Sequence, residues 1–121
     1  MLLINEVEGA ELTGAAEPEQ ILSILRTQYM NLSVLLTLGE HGAIFVDSQG
    51  IRYHVPSVPC VVKDTTAAGD TFTGYFLTSY FKDYDVSRAL AIAAAASSIA
   101  VSREGAASSI PYQCEVLTYM K

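Results

Sequence analysis

The run Leu32-Ser33-Val34-Leu35-Leu36-Thr37-Leu38 constrains this chain more than any other segment. It is short, almost wholly apolar and rich in β-formers, which is the pattern of a buried strand in a parallel sheet. A strand of that kind needs strands beside it and helices over it, and its flanks supply both. Upstream, residues 1–4 are apolar and enter Asn5 with no leading turn, like the last stretch of a strand whose beginning is absent. Residues 5–12 then have helical character, ended by Thr13-Gly14. Pro18 suits the first turn of a second helix, where its missing N–H costs nothing. Ile21, Leu22, Leu25 and Tyr29 recur on one face of that helix, which should fade near Met30-Asn31.

Downstream, Gly39-Glu40-His41-Gly42 and Ser48-Gln49-Gly50 separate two further strand-like runs, 43–47 and 51–55, in the manner of hairpins. Pro56 and Pro59 keep the next stretch extended. Helical spacing returns over 70–82, with Phe72, Tyr75, Phe76, Ser79 and Tyr80 on one face. It returns again over 86–101, behind Asp85 as N-cap, in an alanine-rich stretch suited to close packing. Residues 102–109 read as a loop, and Pro111 opens a short C-terminal helix. The alternation predicts an α/β class, with helices on both faces of a mixed, largely parallel sheet.

Composition narrows the function classes. Half of the 121 residues are hydrophobic and 17% are charged, as in a folded chain. Seven basic residues stand against thirteen acidic ones, a net charge of −6 with no basic cluster. That excludes a grip on DNA or RNA, whose phosphates call for Lys and Arg. No segment reaches the ~20 apolar residues that span a bilayer. The longest candidate, 89–101, is interrupted by Ser97 and Ser98, and the N-terminus lacks the features of a signal peptide. Cys60 and Cys114 form neither a metal knuckle nor a CxxC pair, and read as reduced, buried thiols of a cytoplasmic protein. His41 and His54 have no Cys or His beside them for a zinc site.

The chemistry concentrates in Lys63-Asp64-Thr65-Thr66-Ala67-Ala68-Gly69-Asp70-Thr71-Phe72. Small side chains leave the N–H groups of Ala67, Ala68 and Gly69 bare at the positive end of a helix dipole, the requirement for an anion hole. Gly69 lets a phosphate approach the backbone closely. Asp70 admits two readings. It complements the helix dipole, or it is a general base that takes a proton from an attacking hydroxyl while the amides stabilise charge on a phosphoryl group.

DTTAAGDTF resembles the C-terminal signature of the ribokinase-like carbohydrate kinases, the phosphofructokinase-B type family. Other segments agree in order and spacing. Asn5-Glu6-Val7-Glu8 resembles the family's NxxE segment, and Thr37-Leu38-Gly39 with Gly42 its TLGxxG nucleotide turn. Residues 93–101, then Arg103-Glu104-Gly105-Ala106 and Ser109, resemble the stretch that closes the adenine pocket and the monovalent-cation site.

The resemblance implies a three-layer α/β/α sandwich. Residues 1–121 would be its C-terminal, nucleotide-binding and catalytic half, and the N-terminal substrate and lid half would be absent. It implies ATP and Mg²⁺ as cofactors, K⁺ as activator, and a small sugar as the acceptor. Ribose phosphorylated at its terminal hydroxyl is the expectation. Another sugar, a nucleoside, or a non-catalytic nucleotide-binding remnant are the alternatives. By resemblance Asp70 is the catalytic base, and Ala67, Ala68 and Gly69 form the anion hole. Asn5, Glu8, Thr37, Gly39, Gly42, Gly69 and Ala94 lie on the nucleotide side, with Glu8 acting on Mg²⁺ indirectly. Asp64, Thr66, Ala100, Arg103, Gly105 and Ser109 would surround potassium. Read without the family, Asn5 is a turn-forming cap, Glu8 a solvated helix charge, Gly39 and Gly42 hairpin glycines and Asp64 a loop cap. Alanine at 94, where such kinases often carry a polar side chain, makes base contact apolar. The parent protein is expected to be a cytoplasmic homodimer that touches neither membrane nor nucleic acid. A half-sheet on its own would leave an apolar edge unpaired.

Overall fold

Strand β1 (Leu2–Asn5) pairs in parallel with β2 (Val34–Thr37), setting Leu2 against Val34 and Asn5 against Thr37. A computed structural model describes residues 1–56 and 68–101 of the chain. The chain divides into two compact units, Met1–His54 and Val55–Lys121, and each is taken by itself.

The first unit is built on a four-stranded sheet of order β1-β2-β3-β4, with β3 spanning Ala43–Val46 and β4 Arg52–Val55. β2 and β3 are antiparallel, with Val34 opposite Val46 and Thr37 opposite Ala43. The sheet is mixed, as expected, and the hairpin expected at Gly39–Gly42 is its antiparallel step. A 3₁₀ turn at Gly39–His41 joins β2 to β3, far too short for the crossover that parallel strands need. Gly39 (φ 58°) and Gly42 (φ 88°, ψ −134°) take backbone angles that side chains resist. The β3–β4 turn is closed by Asp47, whose Oδ1 accepts from the N–H groups of Gln49 and Ile51, both at 2.9 Å.

Between β1 and β2 run α1 (Glu6–Thr13) and α2 (Pro18–Gln28). Ile21, Leu22 and Leu25 of α2 join Ile4, Val34, Leu36, Leu38, Ile44 and Val46 in one apolar cluster. Leu35 and Phe45 are as deeply buried, on the opposite face by the period of the strand. Tyr29 departs from the expected helical face. α2 ends at Gln28, Tyr29 takes extended backbone (φ −127°, ψ 90°), and its side chain is 58% exposed. The helix stops before Met30 because Asn31 turns left-handed, φ 65°. Arg26 anchors the end of α2 by donating from Nη1 to the carbonyls of Leu32 (2.8 Å) and Asp47 (2.9 Å). At the other end, Arg52 of β4 grips Glu19 with both guanidinium Nη groups, one bond measuring 2.6 Å. Those hydrogen bonds hold the Glu19 carboxyl below its ordinary range.

In the second unit, α3 (Ala68–Asp83) packs on α4 (Val86–Val101). α3 begins two residues before the expected Asp70, which puts Asp70 inside its first turn. Phe72, Phe76 and Ser79 are buried, as the spacing predicts. On α4, Ile92, Ala95, Ala96 and Ile99 form a cluster against Tyr75, so alanine brings the two helices close. Asp85 caps α4, accepting from Arg88 N–H at 3.1 Å. The extended stretch after Pro56, the loop over 102–109 and the helix at Pro111 lie outside the described residues.

Candidate active site

The carboxyl ends of β1 and β2 meet where Asn5 stands beside Thr37. Open α/β sheets bind ligands at such ends. Asn5 leaves β1 and caps α1. Its Oδ1 accepts from Glu8 N–H at 2.8 Å, and its own N–H donates to Glu8 Oε1 at 3.0 Å. This reciprocal capping box satisfies two backbone donors and fixes both side chains of the NxxE segment. Both residues are exposed. The cap reading of Asn5 is thus found, and Glu8 is its partner in the cap.

Thr37 is half-buried and donates from Oγ1 to the Ile4 carbonyl at 3.4 Å. The chain then turns through Gly39, and Leu38 N–H donates to the Gly42 carbonyl at 2.8 Å. Because β3 runs back antiparallel from Gly42, that glycine lies at the same edge as Thr37. Asn5, Glu8, Thr37, Gly39 and Gly42, all expected on the nucleotide side, thus gather along one edge of the sheet although β1 and β2 are far apart in sequence.

The second unit carries the residues expected to do the chemistry. In α3 the N–H groups of Ala68, Gly69 and Asp70 fall in the first turn, where no carbonyl of the helix reaches them. Gly69 and Asp70 are exposed, so amides and a carboxylate are presented together at a 16-residue helix's positive end. Ala94 (5% exposed) and Ala100 (1%) are buried in α4. Ala100 lies next to Val101, the last described residue of α4. Asp64, Thr66, Ala67, Arg103, Gly105 and Ser109 lie outside the described residues.

Among the described residues no group of three or more His, Cys, Asp or Glu side chains could cage a metal ion. An exposed carboxylate such as Glu8 would suit a magnesium ion held mainly through water and phosphate oxygens. Sequence reasoning gave Thr71 no role. Its side chain is 3% exposed, and its Oγ1 is buried with no hydrogen-bond partner among the described residues. Thr13, Thr27 and Thr78 instead donate to the carbonyl four residues back. Its place in the DTTAAGDTF signature is the one sequence feature that sets Thr71 apart from them. Among the described residues no helix is long and apolar enough to cross a membrane.

Residues 1–113 match the pfkB family of carbohydrate kinases. The chain is 32% identical to the ribokinase of Haemophilus influenzae over 97% of its own length and 39% of the relative's. It is 38% identical to the ribokinase of Schizosaccharomyces pombe, covering 95% of this chain and 38% of that protein. The structure superposes on Arabidopsis thaliana ribokinase complexed with ribose and ATP with a TM-score of 0.89 at 32% identity, over 99% of this chain and 40% of that one. The expected α/β class and ribokinase-like fold are thus found, and the chain spans about two fifths of the length of the relatives it matches. With motifs, fold and family match in agreement, this chain belongs to the pfkB family of carbohydrate kinases.

Proposed function

We propose that this chain is the nucleotide-binding and catalytic part of an ATP-dependent sugar kinase that phosphorylates ribose at its terminal hydroxyl. One observation carries the reading: Asp70 and the orphan amides of Ala68 and Gly69 share the first turn of α3. A base and an electrophile-stabilising site so close are what in-line phosphoryl transfer needs. The Asp70 carboxylate takes the proton of the sugar hydroxyl. The sugar oxygen bonds to the γ-phosphorus of ATP, and the bond from that phosphorus to the bridging oxygen breaks, releasing ADP. The amides of Ala67, Ala68 and Gly69 accept the charge that builds on the transferred group. Thr37, Gly39 and Gly42 line the nucleotide, with Ala94 against the base. Asn5 and Glu8 orient the triphosphate side.

Mg²⁺ bound with ATP would supply neutralisation of phosphate charge, with Glu8 holding it through water. Asp64, Thr66, Ala100, Arg103, Gly105 and Ser109 would hold K⁺ and so order the loop before α3. The working form is a cytoplasmic homodimer. The test is a calorimetric titration of the chain with Mg·ATP, once in potassium and once in sodium. Binding that strengthens in potassium is the expected result, and no binding in either salt overturns the nucleotide site as an autonomous one. Ribose, fructose and a nucleoside compared as acceptors, in an active kinase containing these residues, then decide the substrate.

A further inference from the structure

We infer that Thr71 is a positioning residue for the candidate anion hole, acting through the peptide that joins Ala68 to Gly69. The inference deepens the proposed function and rests on its reading of the α3 amides as a phosphate site.

The first turn of α3 has two sides. Gly69 and Asp70 are exposed, while Thr71 is 3% exposed and its Oγ1 has no hydrogen-bond partner among the described residues. Burying a hydroxyl without a partner is unfavourable, and valine offers the same shape without that penalty. Thr13, Thr27 and Thr78 are less buried, yet each donates to the carbonyl four residues back, at 2.7, 2.8 and 2.9 Å. Thr71 needs a partner more than they do, because water cannot reach its oxygen.

A helical threonine reaches the carbonyl three or four residues back. α3 begins at Ala68, so for Thr71 the acceptor inside the helix is the Ala68 carbonyl, three residues back. That carbonyl and the Gly69 N–H are the two ends of one planar peptide and point in opposite directions. The N–H points out of the N-terminal end of α3, and the carbonyl points into the helix. A carbonyl oxygen has two lone pairs, so it can take a hydroxyl besides its helical N–H partner. An anion drawing on the Gly69 N–H makes the Ala68 oxygen a better acceptor, and a hydroxyl bound at that oxygen makes the N–H a better donor. The Thr71 hydroxyl is therefore the donor that aims and strengthens the Gly69 amide when a phosphate occupies the turn.

The experiment measures the Mg·ATP affinity and the denaturation midpoint of the full 121-residue chain, for wild type, Thr71→Val and Thr71→Ser. Thr71→Val keeps the shape and removes the hydroxyl. It is expected to raise the midpoint and to weaken ATP binding about threefold to tenfold, the worth of one hydrogen bond. Thr71→Ser keeps the hydroxyl and removes a methyl group. It is expected to lower the midpoint and to recover most of the affinity lost in Thr71→Val. A merely structural threonine cannot produce opposite orders of stability and affinity. If Thr71→Val binds ATP as wild type does, the inference fails and the nucleotide site stands. If Thr71→Val lowers the midpoint, the hydroxyl already has a partner and the inference fails. If Thr71→Ser binds ATP no better than Thr71→Val, the methyl group matters and the hydroxyl does not, and the inference again fails. Should Thr71→Ser not fold, Thr71→Val decides alone on the same criteria. A wild-type chain that does not bind ATP overturns the phosphate site of α3, and the inference with it.

Discussion

α1 and α3 both begin next to residues of the family's motifs, yet their first turns are opposites. α1 is self-capped: Asn5 and Glu8 satisfy each other's backbone donors, and two glutamates crowd the same turn. That helix end has no use for an external anion. α3 opens on Ala68 and Gly69, neither of which has a side chain able to cap, and presents an exposed Asp70. The comparison teaches that a helix N-terminus whose first residues carry no capping side chain keeps its amides available to an anion. A filled terminus holds a side chain in place instead.

The largest test of that contrast is Asp70→Asn in an active kinase that contains these residues. Turnover should fall by about 10²–10⁴-fold, the usual worth of a general base, with ATP affinity nearly unchanged. A rate close to wild type would return Asp70 to the role of a dipole complement.

Gly9→Ala probes what else holds α1. A methyl group there would stand 2.9 Å from Ile21 Cγ2 and 3.1 Å from Cδ1. Overpacking of that kind costs about 1–3 kcal/mol, to be read as a lower denaturation midpoint. An unchanged midpoint would mean that α1 floats free of α2.

Asn5→Ala and Gly69→Ala then form a matched pair with opposite signs. Losing the Asn5 cap should destabilise the chain by about 1 kcal/mol. Gly69 is helical, and an added Cβ there meets nothing within 4 Å. Gly69→Ala should therefore stabilise the chain by roughly 0.5–1 kcal/mol while weakening ATP binding, because the methyl crowds the amides. If Gly69→Ala strengthens or spares ATP binding, the α3 terminus is not the phosphate site.

The smallest effect lies away from both termini. The Arg52 hydrogen bonds lower the titration of Glu19 in the folded chain, so the pair's contribution is complete above the ordinary carboxylate range. It is lost as pH falls through the lowered folded value. Both side chains are well exposed, at 46% and 66%, so solvent screening keeps the contribution below about 1 kcal/mol. The stability difference between wild type and Arg52→Gln should shrink to nothing in acid, and should also shrink in high salt at neutral pH.

Much of this was legible locally. Pro18 at the head of α2, Asp85 capping α4, the glycine turns and the buried triad Ile21, Leu22 and Leu25 each follow from residues a few positions apart. Tyr29 was misjudged because periodicity continues past a helix end unless a backbone signal stops it, and Asn31 was a weak signal. The antiparallel turn from β2 to β3 was legible as a hairpin in the spacing of Gly39 and Gly42, and the pairing of the two strands bears it out. For Asn5 and Glu8 the sequence offered a cap and a ligand role as rivals. The coordinates make the cap the means by which the side chains are held.

The sequence by itself determined the order of elements, the family, and the small-residue turn ahead of Asp70, because helical period, strand alternation and capping are encoded between near neighbours. The tertiary structure alone decided that Asn5 stands beside Thr37 and that Gly42 returns to the same edge. It also decided that Thr71, next to the candidate base, buries a hydroxyl with no partner among the described residues. Those outcomes depend on strand register and helix packing, which are fixed by pairings such as Leu2 with Val34 between segments far apart in the chain.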